Sequence, residues 1–148
     1  SSDVCSSDLP NPNVKNKIHS RLEQYENVKL LTPLDYPYLV YLMKHAKLIL
    51  TDSGGIQEEA PSFGCPTLVM RYETERQEGI EAGVSKLVGA DYDKIIEESE
   101  IILNQTREAS RLKVQNPYGN GTSAKQIENI ISNYFIFAKK SKQNYKCS

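Results

Sequence analysis

The chain has 148 residues, of which 39% are hydrophobic and 25% charged, and its formal net charge is −1. That length suffices for one domain with a proper core, and the near-neutral balance leaves no electrostatic footprint for nucleic acid. The longest aliphatic runs, such as Leu48-Ile49-Leu50, are far too short to span a membrane.

In chain order, residues 1–9 carry Ser-Ser-Asp twice and no periodic apolar pattern. They read as a disordered tail or a segment foreign to the fold, and are set aside. No basic-then-apolar leader opens the chain, so nothing points to export. Val14, Ile18, Leu22 and Tyr25 follow helical spacing. Val28–Leu31 is a short apolar run stopped by Thr32-Pro33, which suits a buried strand. Leu39, Leu42, Met43 and Ala46 form the next helical stripe. Residues 47–50 read as a second strand, 67–70 as a third and 85–88 as a fourth.

Between the second and third strands, Ile56, Ala60 and Phe63 mark the inner face of a helix that Gly64 and Pro66 end. Pro61 lacks an N–H, so this helix should be short and bent. A further helix is expected to start at Thr74, with Gln77 completing a capping box. Ile95, Ile102 and Leu103 belong to another helix, and Ile127, Ile130, Ile131 and Tyr134 to the last. Residues 139–148 carry four lysines and little to bury, so they read as a solvated basic tail.

Strands alternating with helices predict an α/β fold with a Rossmann-like parallel sheet covered by helices on both faces, over residues 10–138. Ligands of such sheets sit beyond the carboxyl ends of the strands. Two polar loops follow strands there, 51–55 and 71–76.

Thr51-Asp52-Ser53-Gly54-Gly55 joins a strand to a helix. Ser53 or Asp52 can cap that helix, and Gly54 and Gly55 leave bare N–H groups at its positive end, where an anion can approach closely. The same residues also suit a plain tight turn. The loop is neither the GxGxxG fingerprint nor a P-loop. Glu59 lies four residues past Gly55 on the same face, placed for hydroxyl groups one moiety beyond a phosphate. Glu58 reads as solvated or as serving the helix dipole. Arg71 and Arg76 could neutralise a diphosphate in fork geometry, or pair on the surface with Glu73, Glu75 or Glu78.

Cys5, Cys65 and Cys147 are odd in number and widely spaced, and no Cys/His cluster offers a metal site. Incidental thiols in a reducing cytoplasm are expected. His19 and His45 both fall inside predicted helices and read as structural. Residues 116–121, Asn-Pro-Tyr-Gly-Asn-Gly, form a turn by composition.

Asp52-Ser53-Gly54-Gly55-Ile56-Gln57-Glu58-Glu59-Ala60-Pro61, with Gly64, Pro66, the 71–76 loop, Glu81-Ala82-Gly83, Lys86-Leu87-Val88-Gly89 and Asn116-Pro117-Tyr118-Gly119, resembles the non-hydrolysing UDP-N-acetylglucosamine 2-epimerases. The resemblance runs from about Asn11 to the last helix. It implies one half of a glycosyltransferase-B-type two-domain fold, with residues 10–138 as the C-terminal UDP-binding domain. It implies interconversion of UDP-N-acetylglucosamine and UDP-N-acetylmannosamine by elimination and re-addition of UDP, without cofactor or metal. Ser53, Gly54 and Gly55 would then contact phosphate, Glu59 ribose and Arg76 the diphosphate. The family's N-terminal domain, with its acidic catalytic residues, and a histidine at the start of its C-terminal domain have no counterpart here. A truncated chain is therefore expected, inactive alone, with a UDP-sugar as ligand, the N-terminal domain as partner and a homodimer at full length. A hydrolysing 2-epimerase, a nucleotide-sugar transferase of the same architecture and a non-catalytic nucleotide-binding module are the alternatives. Hydrolysing relatives carry a serine-rich first loop, and Gly-Gly followed by Gln-Glu-Glu argues against them.

Overall fold

A computed structural model describes residues 4–7, 12–113 and 115–144, with side chains for 16–113 and 115–135. Two units divide the chain, residues 1–46 and 47–148. The boundary falls inside the 10–138 segment that sequence assigns to one domain.

In the first unit, strand β1 (Val4–Ser7) pairs in parallel with β2 (Val28–Leu31), Val4 opposite Val28 and Ser7 opposite Leu31. Helix α1 (Pro12–Leu22) lies between them in sequence, and α2 (Tyr36–His45) follows β2. β2 has the expected bounds. β1 corrects the reading that residues 1–9 stand outside the fold. Strand pairing uses backbone N–H and C=O groups, which every sequence carries, so composition gave no sign of it. α1 ends before Tyr25, which is exposed and sits in a turn whose amide bonds the Leu22 carbonyl at 3.1 Å. Asp35 stands at the N-cap position of α2 without a side-chain capping bond, and Pro37 fits the first turn because that N–H lacks a helical partner anyway. Met43 is the buried residue of its stripe.

The second unit holds a three-stranded parallel sheet in the order β3 (Ile49–Thr51), β4 (Thr67–Val69), β5 (Ser85–Leu87). All three residues of the central strand are buried. Leu68 and Val69 join Cys65, Val84, Val88 and Ala60 in the core. Full burial of such a leucine or valine stabilises by about 1.5–3 kcal/mol.

The β3–β4 crossover is α3 (Gly54–Glu59), which tightens into a 3-10 turn at Ala60–Phe63. Pro61 sits in that tighter turn, as its missing N–H requires. Gly64 then ends it in the left-handed region at φ 64°. A Cβ there would also meet the Leu112 carbonyl oxygen at 2.8 Å.

Helix α4 (Gln77–Glu81) links β4 to β5. It begins three residues later than the expected capping box, because the Thr74 side chain is buried and bonded elsewhere. Helix α5 (Tyr92–Leu103) is capped by Asp91, whose carboxylate accepts the Lys94 N–H. A short α6 (Arg107–Ser110) follows, capped by Thr106. Helix α7 (Ser123–Asn144) runs through the Lys139 boundary expected for the tail. Its stripe is solvent-facing: Ile127, Ile130, Ile131, Tyr134 and Phe135 are 50–71% exposed.

Candidate functional site

β3 and β4 are parallel neighbours in register, Thr51 opposite Val69, so the chain leaves both strands at one edge of the sheet. The loops after them, 52–53 and 70–76, are thereby brought side by side. The buried Thr51 hydroxyl accepts the Ser53 N–H at 3.0 Å and fixes the exit from β3. Ser53 is the N-cap of α3 with extended backbone, φ −78° and ψ 127°, but its hydroxyl makes no capping bond to the helix. Among the described residues that hydroxyl has no hydrogen-bond partner. Gly54 and Gly55 open the helix.

Arg76 crosses to this turn from the second loop. Its guanidinium lies against Gly54 so closely that an added Cβ would meet Cζ at 2.8 Å and Nη2 at 2.9 Å. Nε–H donates to Glu58 Oε1 at 2.9 Å, and Nη1 pairs with Glu75. The side chain is 26% exposed. Among the described residues Nη2 carries no partner. A planar cation with an uncommitted N–H edge beside the first turn of a helix suits an oxyanion of a phosphate.

The backbone beneath Arg76 is also bonded. Thr74 Oγ1 accepts the Arg76 N–H at 3.2 Å and donates to Gln57 Oε1 at 2.9 Å, joining the second loop to the middle of α3. Tyr118 Oη donates to the Arg76 carbonyl at 3.1 Å and accepts the Gly79 N–H at 3.0 Å. Asn116 Nδ2 donates to the Glu58 carbonyl at 3.0 Å and to Ser62 Oγ at 2.7 Å, while its Oδ1 accepts the Tyr118 N–H at 3.0 Å. Burial pushes the Tyr118 phenol above its ordinary range. A backbone hydrogen bond, then Arg76 and Arg71, hold the exposed Glu75 carboxyl below its usual value.

Four of the five expected residues thus converge, Ser53, Gly54 and Gly55 with Arg76. Glu59 closes α3, half-buried, one turn beyond Gly55. Arg71 takes the surface alternative, 3.4 Å from Glu75 with both side chains exposed. Glu58 corrects the sequence reading: with Glu75 it is a partner of Arg76. Asn116 and Tyr118, read only as a turn, hold the two loops together. Their signal was present in the motif, but the partners lie 42 and 58 residues away.

An open cleft of about 490 Å³ is lined by Tyr72, Glu73, Thr74, Glu75, Gln77 and Leu87 and contains none of the five expected residues. His45 is bonded to the Tyr41 carbonyl of its own helix and stacked on the Tyr41 ring at 4.1 Å. Among the described residues no group of three His, Cys, Asp or Glu could hold a metal ion, and no helix is long and apolar enough to cross a membrane.

Comparison with known proteins decides the family. The model of a family described as UDP-N-acetylglucosamine 2-epimerase matches residues 6–132. The chain belongs to this family. It is 48% identical over 122 residues to UDP-N-acetylglucosamine 2-epimerase of Campylobacter jejuni, covering 82% of the chain and 32% of that protein. The enzyme of the same name from Salmonella typhimurium is 48% identical over 127 residues, 85% of the chain and 34% of the relative. The chain therefore spans about a third of the length of the curated relatives it matches.

Solved structures agree on the α/β fold. The Neisseria meningitidis UDP-GlcNAc 2-epimerase bound to UDP-GlcNAc superposes with a TM-score of 0.73 at 40% identity, over 88% of the chain and 36% of that structure. The S. aureus MnaA-UDP co-structure gives 0.81 at 35% identity, over 90% and 36%.

Proposed function

We propose that this epimerase-family chain supplies the UDP-binding half of an enzyme that interconverts UDP-N-acetylglucosamine and UDP-N-acetylmannosamine. The observation that carries the reading is the Arg76 guanidinium laid over Gly54, beside the uncommitted Ser53 hydroxyl at the first turn of α3. In this reading Ser53, Gly54 and Gly55 receive phosphate oxygens, and Arg76 offsets the diphosphate charge. Glu59 accepts from ribose hydroxyls further along the ligand. The relatives' names and the UDP and UDP-GlcNAc in the superposed structures support that ligand class.

Epimerisation by UDP elimination demands two things. The leaving diphosphate must be stabilised as the bond to the sugar breaks, which preorganised donors provide. A proton must also leave and return at the sugar, which needs an acid or base within hydrogen-bond reach. The chain's residues meet the first demand. We assign the second to the two thirds of the relatives' length that the chain does not span, and a homodimer to that whole protein. The buried Cys65, in no disulfide among the described residues, suits the cytoplasm in which we place this work.

Titration of the purified chain with UDP, alongside incubation with UDP-N-acetylglucosamine, tests the reading. The expected result is saturable UDP binding and no mannosamine epimer. Absence of UDP binding overturns the ligand assignment. Turnover at an ordinary enzymatic rate overturns the division of labour.

A further inference from the structure

Glu58 and Arg76 come from different loops, and their side chains meet at 2.9 Å. Each is also gripped through its own carbonyl by the 116–119 turn: Asn116 bonds the Glu58 carbonyl, Tyr118 the Arg76 carbonyl, and the Tyr118 amide bonds Asn116. The result is a closed circuit: Asn116 to Glu58 backbone, Glu58 carboxylate to Arg76 guanidinium, Arg76 backbone to Tyr118, and back to Asn116.

The Tyr118 hydroxyl uses both its proton and a lone pair in this arrangement, the second taking the Gly79 N–H as α4 begins. Space for the phenol exists only because residue 79 lacks a side chain. A Cβ there would stand 2.4 Å from Tyr118 Oη. A long, flexible cation loses rotamer entropy when fixed, and the circuit fixes Arg76 before any ligand arrives.

We propose that Asn116 and Tyr118 are positioning residues that hold the Arg76 guanidinium over the Gly54 turn and so set the affinity for a nucleoside diphosphate. This rests on the diphosphate reading of Arg76 given above. Neither residue needs to touch the ligand. Their effect passes through Arg76, and that separates them from ordinary structural residues.

The test is Tyr118→Phe, which keeps the ring and removes the hydroxyl. UDP binding should weaken about three- to tenfold, the scale of one net hydrogen bond, while uridine binding stays within about twofold. Placed in an Arg76→Ala background, the same substitution should change UDP affinity by less than about twofold, since coupled residues are not additive. Equal loss for uridine and UDP, or undiminished loss without Arg76, overturns the proposal.

A ligand-free readout separates this from the functional reading. The Arg76 Nε–H signal, assigned with Arg76→Lys, should exchange with water about tenfold faster in Tyr118→Phe. If the wild type ignores UDP but this signal loosens, the function is wrong and the positioning stands. If the wild type binds UDP and the signal does not move, the positioning is wrong. Asn116→Ala, read by the same measurements, replaces Tyr118→Phe if that variant fails to fold, and the same outcomes decide.

Discussion

Gly54→Ala is the sharpest perturbation, because it separates folding from binding. The new methyl would lie 2.8 Å from Arg76 Cζ, 2.9 Å from Nη2 and 3.1 Å from Nε. Carbon contacts settle near 3.5–4.0 Å, so the guanidinium must retreat by about 1 Å. The 2.9 Å bond from Nε to Glu58 then stretches to roughly 3.9 Å, beyond hydrogen-bonding distance. The cost to the fold is small. Alanine gains up to about 1 kcal/mol over glycine in a helix, and a partly exposed ion pair is worth about 0–1 kcal/mol. These offset, so the melting temperature should move by no more than about 4 °C. Binding fares differently. A charge-assisted bond is worth about 1.5–3 kcal/mol, so UDP should weaken about ten- to a hundredfold. Calorimetric titration at low salt together with a thermal melt reads both quantities. Gly55→Ala supplies the comparison, since a Cβ there meets only Ser53 Oγ at 3.9 Å and leaves Arg76 in place. It should lose less than Gly54→Ala. Unchanged UDP affinity in a well-folded Gly54→Ala chain, or equal losses in the two variants, would refute the role given to Arg76.

Arg76→Ala should weaken UDP about tenfold or more, and the deficit should shrink in high salt, where the wild type itself is screened; calorimetry at two ionic strengths checks it. Glu59→Gln should weaken UDP and uridine alike and spare inorganic diphosphate, because it exchanges a charged acceptor for an amide of the same shape. Loss of diphosphate with uridine retained would put Glu59 at the phosphates. Burial pushes the Cys65 thiol from 9.0 up to about 11. The folded state therefore holds its proton after the unfolded chain has released it, so this contribution is intact below pH 9 and is lost as pH rises from 9 toward 11. Across that window it amounts to roughly 3 kcal/mol; denaturant melts should show Cys65→Ala with a shallower decline there than the wild type. The exposed apolar stripe of α7 should promote association. Light scattering should show it, and Ile130→Glu with Tyr134→Glu should reduce it.

How much the sequence disclosed follows from how far each signal reaches. β2, with its expected bounds, and the short helix tightened at Pro61 depend on neighbours a few residues away, and periodicity with turn chemistry sees those. The sheet edge bearing both loops was also legible, because parallel strands must leave in the same direction. β1 was not, since its pairing resides in backbone groups common to all sequences. The α7 stripe misled in a different way: its spacing reports an apolar face correctly but says nothing of whether anything covers that face. The site lies between these cases. Ser53, Gly54 and Gly55 announce a turn of small residues into a helix, yet nothing local says which side chain meets it. Arg71 and Arg76 look alike in sequence and both pair with Glu75, and only the fold also carries Arg76 across to Glu58 and Gly54. The decisive bonds span 18 residues for Arg76 to Glu58, 42 for Tyr118 to Arg76 and 58 for Asn116 to Glu58. Such pairs carry no periodic trace. Gly54 and Gly79 show the consequence: in sequence both are small residues in or near turns, whereas in the structure each is small because a particular side chain, Arg76 or Tyr118, occupies the space a Cβ would take. Each glycine is required by what lies above it, and not by its own φ, and the two side chains above them belong to residues joined by the bond from the Tyr118 hydroxyl to the Arg76 carbonyl.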